Sequence, residues 1–401
     1  MITFKYPYFT CFYLCVCIIF GIYLYDTNIP FIKYIDETLA VGLLFFYITQ
    51  KHYKSKEFKY FFIIVIFYIL YSIFIRITNF NAIFMDVIIQ AKPFIMFYCA
   101  ESLGLQLSVK GKLVVKRLIL ALSFFTIMLT LVNYNFVMND LFGHPSRYGT
   151  FFTLAGFIYY YCSDRSGKAL RNTVILWIGM LACMKVKSIG FFVIAFFLTI
   201  NVKRMFKSLR LNFKTLFFIL LGVVLMMIFT WDRFQTFYIE NGVGVNSVED
   251  MYARPALYYT AWEILKDYFP FGSGLGTFAS YASGVYYSRL YYDYGISNIY
   301  GLQPDEFYFV SDTYFPVLAQ LGVVGVWLFF LFMWRRTKIS WKTCKNGGTK
   351  QMMLMKFLII VYILIESTSD STLIQNRGVV MMFIFALYQN DSINNTCCKN
   401  K

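Results

Sequence analysis

Arg254-Pro255-Ala256-Leu257-Tyr258-Tyr259-Thr260-Ala261-Trp262-Glu263-Ile264-Leu265-Lys266-Asp267-Tyr268-Phe269-Pro270, followed directly by Phe271-Gly272-Ser273-Gly274-Leu275-Gly276, is the stretch on which the reading of this chain turns. It lies in a segment running from Trp231 to about Asp312, the only long segment without a membrane-spanning apolar run. Both neighbouring segments are intensely hydrophobic. Proline after Arg254 suits a helix start, where its missing N–H costs nothing. From there Leu257, Ala261, Leu265 and Tyr268 form an apolar stripe, so the sequence predicts an amphipathic helix lying against a bundle, with Arg254 at its beginning. Pro270 and the glycines end it. The glycine run looks superficially like a nucleotide loop, but no strand precedes it and no Gly-Lys-Ser/Thr follows, so a plain turn is the reading.

Outside this segment the chain reads as a lipid-soluble frame. Of its 401 residues 59% are hydrophobic, 21% aromatic and only 14% charged, where a soluble domain carries about a quarter charged residues. The longer apolar runs, about 17–20 residues, match the hydrocarbon thickness of a bilayer. Backbone in lipid must satisfy its own hydrogen bonds, so these runs are helices. The expectation is an all-α, polytopic membrane protein with about twelve transmembrane helices and one large periplasmic loop between spans nine and ten. The spans fall near Tyr8–Tyr25, Thr38–Gln50, Tyr60–Ile77, Ile83–Leu103, Leu118–Val137, Tyr148–Cys162, Thr173–Met184, Ile189–Val202, Leu216–Trp231, Tyr314–Trp334, Met352–Ile365 and Val379–Tyr388. The chain thus divides into residues 1–231 with spans one to nine, 232–311 as the large loop with its amphipathic helix, and 312–401 with spans ten to twelve and a cytoplasmic tail. The N-terminus, with Lys5 before its apolar run and no small-residue cleavage site, reads as a retained first span.

The formal net charge of +16 raises nucleic acid as a partner, and the positions of the charges argue against it. Basic residues cluster between apolar runs: Lys51, Lys54, Lys56 and Lys59; Lys110, Lys112, Lys116 and Arg117; Arg165, Lys168 and Arg171; Lys203, Arg204, Lys207, Arg210 and Lys214; Arg335, Arg336, Lys338, Lys342 and Lys345. These clusters occupy every second loop, which places them and both termini in the cytoplasm and the large loop outside. Lys185 and Lys187 break that rule, by a misplaced span or because the outer face needs cations. The nine cysteines lie in spans or cytoplasmic segments and none in the large loop, so no disulfide framework is expected. Asp86 and Lys92 fall inside the fourth span, as a structural ion pair or as site contacts.

The outer side collects Arg76, Arg147, Lys185, Lys187, Arg233, Arg254, Arg289 and Arg377. The charge rule disfavours cations there, and guanidinium suits bidentate phosphate binding at low dielectric. A diphosphate-linked lipid in the outer leaflet is the anionic guest this suggests; the alternative is pairing with Glu240, Glu249, Asp250, Asp293 or Glu306. Tyrosines crowd the stretch from Tyr281 to Tyr300, as an interfacial aromatic belt or as stacking faces for sugars. The histidines are His52, in a cytoplasmic loop, and His144, outside beside Arg147. No metal-ligand spacing and no Ser-His-Asp or Cys-His arrangement is readable. Proton acceptance would fall to Asp305, Glu306 or Asp312, near the re-entry into the membrane.

Several of these landmarks together resemble the O-antigen ligase/polymerase superfamily. They are Arg254-Pro255 with Trp262, Tyr268-Phe269-Pro270-Phe271-Gly272 with Gly274, Gly276, Thr277 and Phe278, and the return at Ser311-Asp312-Thr313-Tyr314-Phe315-Pro316 with Gly322 and Gly325. Gly143-His144-Pro145-Ser146-Arg147-Tyr148-Gly149 and Lys187-Ser188 with Gly190 are similar to further family landmarks. The resemblance implies a bacterial inner-membrane enzyme without cofactor or metal, acting on undecaprenyl-diphosphate-linked glycans by inverting glycosyl transfer. Membrane lipid is its surroundings, and a chain-length regulator and a flippase are further candidate partners. Ligases of this family carry a histidine in the large loop; here that loop has none and Asp312 stands in the comparable stretch, which favours a Wzy-type polymerase. A ligase transferring polymer to lipid A-core, or a flippase, is the alternative. Carried onto this chain, the catalytic candidates are Arg254 and Asp312, and the substrate-binding candidates are Arg147, His144, Lys187, Arg289, Arg377 and Trp262.

Overall fold

The computed structural model describes residues 6–27, 32, 34–50, 55–205, 247–345 and 350–399, and all regular structure among them is helical. The long elements are α1 Pro7–Ile18, α2 Ile35–Thr49, α3 Lys56–Ile75, α4 Phe80–Ser102, α5 Val109–Val132, α6 Pro145–Tyr161, α7 Gly167–Ile178 and α8 Val186–Met205, then α9 Ala253–Asp267, α10 Gly322–Lys345, α11 Lys350–Ser367 and α12 Asn376–Lys399. Their starts are written locally. Ser55, Asn79, Ser108 and Ser166 each accept a first-turn backbone N–H at α3, α4, α5 and α7, and Pro7 and Pro145 open α1 and α6, where proline loses nothing.

Four of these helices are long and apolar enough to cross a membrane: Lys56–Ile75, Phe80–Ser102, Val109–Val132 and the run Tyr314–Cys344. The apolar stretches Pro7–Tyr23 and Val186–Asn201 are shorter. The expected ninth span, Leu216–Trp231, lies outside the described residues, as do His52 and Arg233. Helix α6 is buried on all sides from Tyr148 to Tyr161, and α12 likewise from Asn376 to Asp391. Helices hydrophobic all round belong in the centre of a bundle. By contrast α3 buries only Phe58, Tyr68 and Ser72 and turns Tyr60, Ile63, Ile66, Leu70 and Phe74 outward. Such a face needs hydrocarbon rather than water around it.

Helix α4 is the pillar on which α2, α3 and α12 pack, and its buried polar groups tie those neighbours together. Lys92 reaches across to α2, pairing with Asp36 and, at 2.7 Å, with Glu37. Asp86 takes other partners, because six residues along a helix turn a side chain by about 240°. Its Oδ2 accepts from the backbone N–H of Gly276 at 2.9 Å and from the Gln320 side-chain amide at 2.7 Å.

Asp86 thereby clamps the glycine turn that follows α9. Gly272, Gly274 and Gly276 sit at φ +81°, +91° and +72°, conformations that L side chains resist. Tyr71 Oη donates to the Gly272 carbonyl at 2.7 Å, and the Leu275 N–H donates to Ser72 Oγ at 2.8 Å. The turn meets Gly322, the first residue of α10, backbone to backbone: a Cβ on Gly272 would lie 2.3 Å from the Gly322 nitrogen. The amphipathic helix α9 forms where the sequence placed it. It buries Ala253, Ala256, Leu257, Thr260, Ala261 and Ile264, so the stripe runs through Ile264 where the sequence pattern had Leu265 and Tyr268. The tyrosine-rich stretch divides. Tyr291 is wholly buried, its hydroxyl between Ala279 N and Ser283 Oγ, while Tyr281, Tyr292 and Tyr300 stay exposed.

The close approach at Gly272 makes a direct test. Gly272→Ala puts a methyl into backbone at a positive φ and should remove well over about 2 kcal/mol of stability. Gly167→Ala, at the start of α7 where an added Cβ meets nothing within 4 Å, should leave stability unchanged or raised. Thermal midpoints of the two purified variants in detergent compare them, and equal midpoints would contradict the packing.

Candidate functional site

Four helices begin at one end of the bundle, and each carries a cation in its first turn: Arg147 on α6, Lys187 on α8, Arg254 on α9 and Arg377 on α12. The helix dipole disfavours positive charge there by about 0.3–1 kcal/mol apiece. These residues therefore stand where helix stability would not have put them. The carboxylates that meet them are misplaced in the complementary sense, with Glu366 in the last turn of α11 and Asp370 just beyond it.

The pairs are specific. Arg254 donates through Nε to Asp312 Oδ2 at 2.7 Å and through Nη2 to the same oxygen, so neither bond engages Oδ1. The Arg254 side chain remains 41% exposed. Asp312 precedes Thr313, which opens the short turn Tyr314–Val317 leading into α10. Burial pushes the Asp312 carboxyl up from its ordinary pKa and Arg254 pulls against that shift, with the charges of Asp370 and Lys187 also felt. Lys187 Nζ bridges Glu366 Oε2 at 2.7 Å and Asp370 Oδ2 at 3.0 Å. The other Glu366 oxygen is buried without a partner, as are Ser188 Oγ and Thr313 Oγ1. Asp26, after α1, takes Arg147 on Oδ1 and Arg377 on Oδ2. Tyr258 Oη on α9 donates to the Thr368 carbonyl at 2.8 Å and ties that helix to the end of α11.

His144 caps α6, accepting the Ser146 N–H on Nδ1 at 3.2 Å, which leaves the proton of a neutral ring on Nε2. Burial, then the charge of Lys185, holds its imidazole below the ordinary pKa, with Asp370 opposing. His144, Arg147, Lys187, Arg254, Asp312 and Arg377 thus share one electrostatic neighbourhood. Arg289 and Trp262 stand apart from it. Arg289 is 80% exposed and pairs with Asp293 at 3.3 Å, and Trp262 is exposed with Lys266 over its ring. Asp305 is exposed, and it makes no ion pair among the described residues. Asp26, Glu366 and Asp370 were missed as site residues in the sequence. Glu366 and Asp370, four residues apart at the end of an apolar run, carried a signal: a carboxylate in the last turn of a helix and a second just past its end, where a cation is preferred.

The arrangement is a charge-balanced basin that an anion with several oxygens can enter by exchanging carboxylate partners for its own. The pairs differ in how far they tolerate loss of one member. Arg377 is 2% exposed and Arg254 is 41% exposed. Asp26→Asn should therefore cost about 3–5 kcal/mol by stranding a buried guanidinium, and Asp312→Asn about 1 kcal/mol or less. Thermal midpoints of the two variants check this, and the reverse order would refute the burial argument.

Residues 172–330, which run from α7 into α10 and include Lys187, Arg254 and Asp312, match a family model described as O-antigen ligase. No curated protein and no solved structure matches the chain. Apolar helices of spanning length and this match together mark an integral membrane protein. The landmarks around Arg254, the glycine turn and Asp312 fall inside the matched region, and this match supports the resemblance of the chain to the O-antigen ligase/polymerase superfamily.

Proposed function

We propose that this protein is a polymerase that joins undecaprenyl-diphosphate-linked oligosaccharide repeat units into O-antigen or another surface polysaccharide, at the outer leaflet of the bacterial inner membrane. The observation that carries the reading is the set of cations in the first turns of α6, α8, α9 and α12, each held by a carboxylate it can exchange. A departing diphosphate needs such donors where its charge develops. In this reading the acceptor sugar hydroxyl attacks C1 of the growing chain's reducing-end sugar. The C1–O bond to the diphosphate breaks, and undecaprenyl diphosphate leaves with the electron pair.

Arg254, the most exposed of the basin's four cations, turns to the diphosphate, with Arg147 supporting it. Asp312 then loses the charge that held its pKa down and gains basicity as the leaving group settles. Its Oδ1 takes the proton of the attacking hydroxyl. His144 donates Nε2–H to a phosphate or sugar oxygen, and Arg289 and Trp262, outside the basin, contact the glycan farther along. The loop between Trp231 and Asp312 carries no histidine, which supports polymerase over ligase, given what the resemblance implies for ligases.

Lipopolysaccharide from a strain lacking the gene tests the class. Core with one repeat unit and no ladder is expected. Bare core with polymer retained on the carrier would make the protein the ligase, and bare core without outward-facing polymer would make it a flippase. Within the polymerase reading, Arg254→Ala should abolish chain growth at normal membrane levels of protein, whereas wild-type chain lengths would overturn its role. Because burial raises the Asp312 carboxyl, polymerisation should fall on the acid side at a pH above the ordinary carboxylate range. Asp312→Asn should slow the reaction and remove that limb; an unchanged profile would exclude Asp312 as proton acceptor.

A further inference from the structure

Helices α3 and α10 are tied at two levels and stand apart between them. Near the glycine turn, Tyr68 Oη donates to the Leu321 carbonyl at 2.7 Å, and Tyr68, Ile83 and Leu275 close that end as a buried cluster. At the other end Arg336 pairs with Glu57 on α3 and with Glu101 on α4, its guanidinium 4.7 Å from the Phe97 ring centre. Between the ties lies a cavity of about 210 Å³. Ile64 on α3 and Phe329 on α10 are in its walls, and Ala91 of α4 is in its floor. Apart from Gln90 its middle is apolar.

From Glu57 to Tyr68 the slot is about 16 Å long at the helical rise of ~1.5 Å per residue. That is about the depth of one hydrocarbon leaflet, half of a ~30 Å core. The end near Tyr68 is shut by the glycine turn, so the slot does not continue into the basin of Arg254 and Asp312. At the end near Glu57 Arg335 joins the lining, and Lys56, Lys59 and Lys338 are exposed at the same level of α3 and α10; none of the four makes an ion pair among the described residues.

We propose that this slot seats one acyl chain of an anionic phospholipid, drawn from the leaflet on the side of Lys59 and Arg335, with its phosphate held at Arg335 and attracted by the field of the lysines at that level. Length favours a single acyl chain over a long polyprenyl tail. Charge favours an anionic headgroup, since each cation near a membrane surface strengthens attraction to such lipids. The bound chain fills the gap between α3 and α10 where protein packing is missing, and so supports the wall on which the glycine turn rests. This site is independent of the glycosyl-transfer reading.

The test uses the full chain purified in detergent, titrated with dioleoyl phosphatidylglycerol or dioleoyl phosphatidylethanolamine and read by native mass spectrometry. One phosphatidylglycerol per chain should bind more tightly than phosphatidylethanolamine. Lys59→Gln with Arg335→Gln, both surface changes, should weaken phosphatidylglycerol about fivefold per cation removed and leave phosphatidylethanolamine where it was. Ala91→Phe, which fills the slot, should abolish the tight phosphatidylglycerol adduct with elution volume and helical circular dichroism unchanged. If Ala91→Phe does not fold, the double surface variant decides alone. Equal affinity for the two lipids, tight binding that survives both variants, or competitive displacement by a polyprenyl phosphate would overturn the proposal.

Discussion

A charge taken out of water into an apolar bundle costs several kcal/mol unless a counter-charge meets it in good geometry, and this constraint arranges the molecule. At the basin end, Asp26 joins Arg147 and Arg377, and Glu366 with Asp370 joins Lys187. Midway, Lys92 of α4 meets Asp36 and Glu37 of α2. At the far end Arg336 is held by Glu57 and Glu101, and Asp391 takes Arg165 and Lys112. In each case the partners come from different elements. The apolar surface brings the helices together without direction, and these pairs set which helices are neighbours and at what height.

Much of the frame was legible because apolar length, helix caps and the turn after α9 are local properties. The helix from Ala253 to Asp267 could be read from Pro255 and its stripe, since caps and periodicity depend on residues within a turn or two. The partners of the charges were not legible. Arg377 and Asp26 are 351 positions apart, and nothing in either neighbourhood names the other. Asp86 shows the same limit: an acidic residue in an apolar helix reads as half of an ion pair or as a site, whereas it anchors the backbone of Gly276. Of the site, the cations stood out because the charge rule disfavours them outside. Of their carboxylates only Asp312 stood out, by its place at the re-entry into the membrane; the charge rule is silent on acids, and the one local signal was Glu366 in the last turn of a helix.

The glycine turn links frame and site. Arg254 and Asp312 are 58 residues apart and sit on separate elements, α9 and the turn before α10. Gly272 against Gly322 fixes the end of the first to the start of the second at backbone contact, where any side chain would push them apart. Asp86, Ser72 and Tyr71 then hold that junction on α4 and α3. The distance between the two site residues is thus set by glycines and by a carboxylate in the body of the bundle.

A basin whose cations are already neutralised is a poor trap for a single weak anion and a selective one for a diphosphate. A guest with one negative charge must displace a carboxylate of equal charge held at 2.7–3.0 Å, and it gains little by doing so. A diphosphate offers several oxygens and more than one charge, so it can take up Arg254 while drawing on the fields of Lys187 and Arg147. The displaced Asp312, already lifted by burial, then has reason to gain a proton. In the proposed reaction the internal pairs therefore favour a diphosphate over the singly charged lipid headgroups of the surrounding membrane.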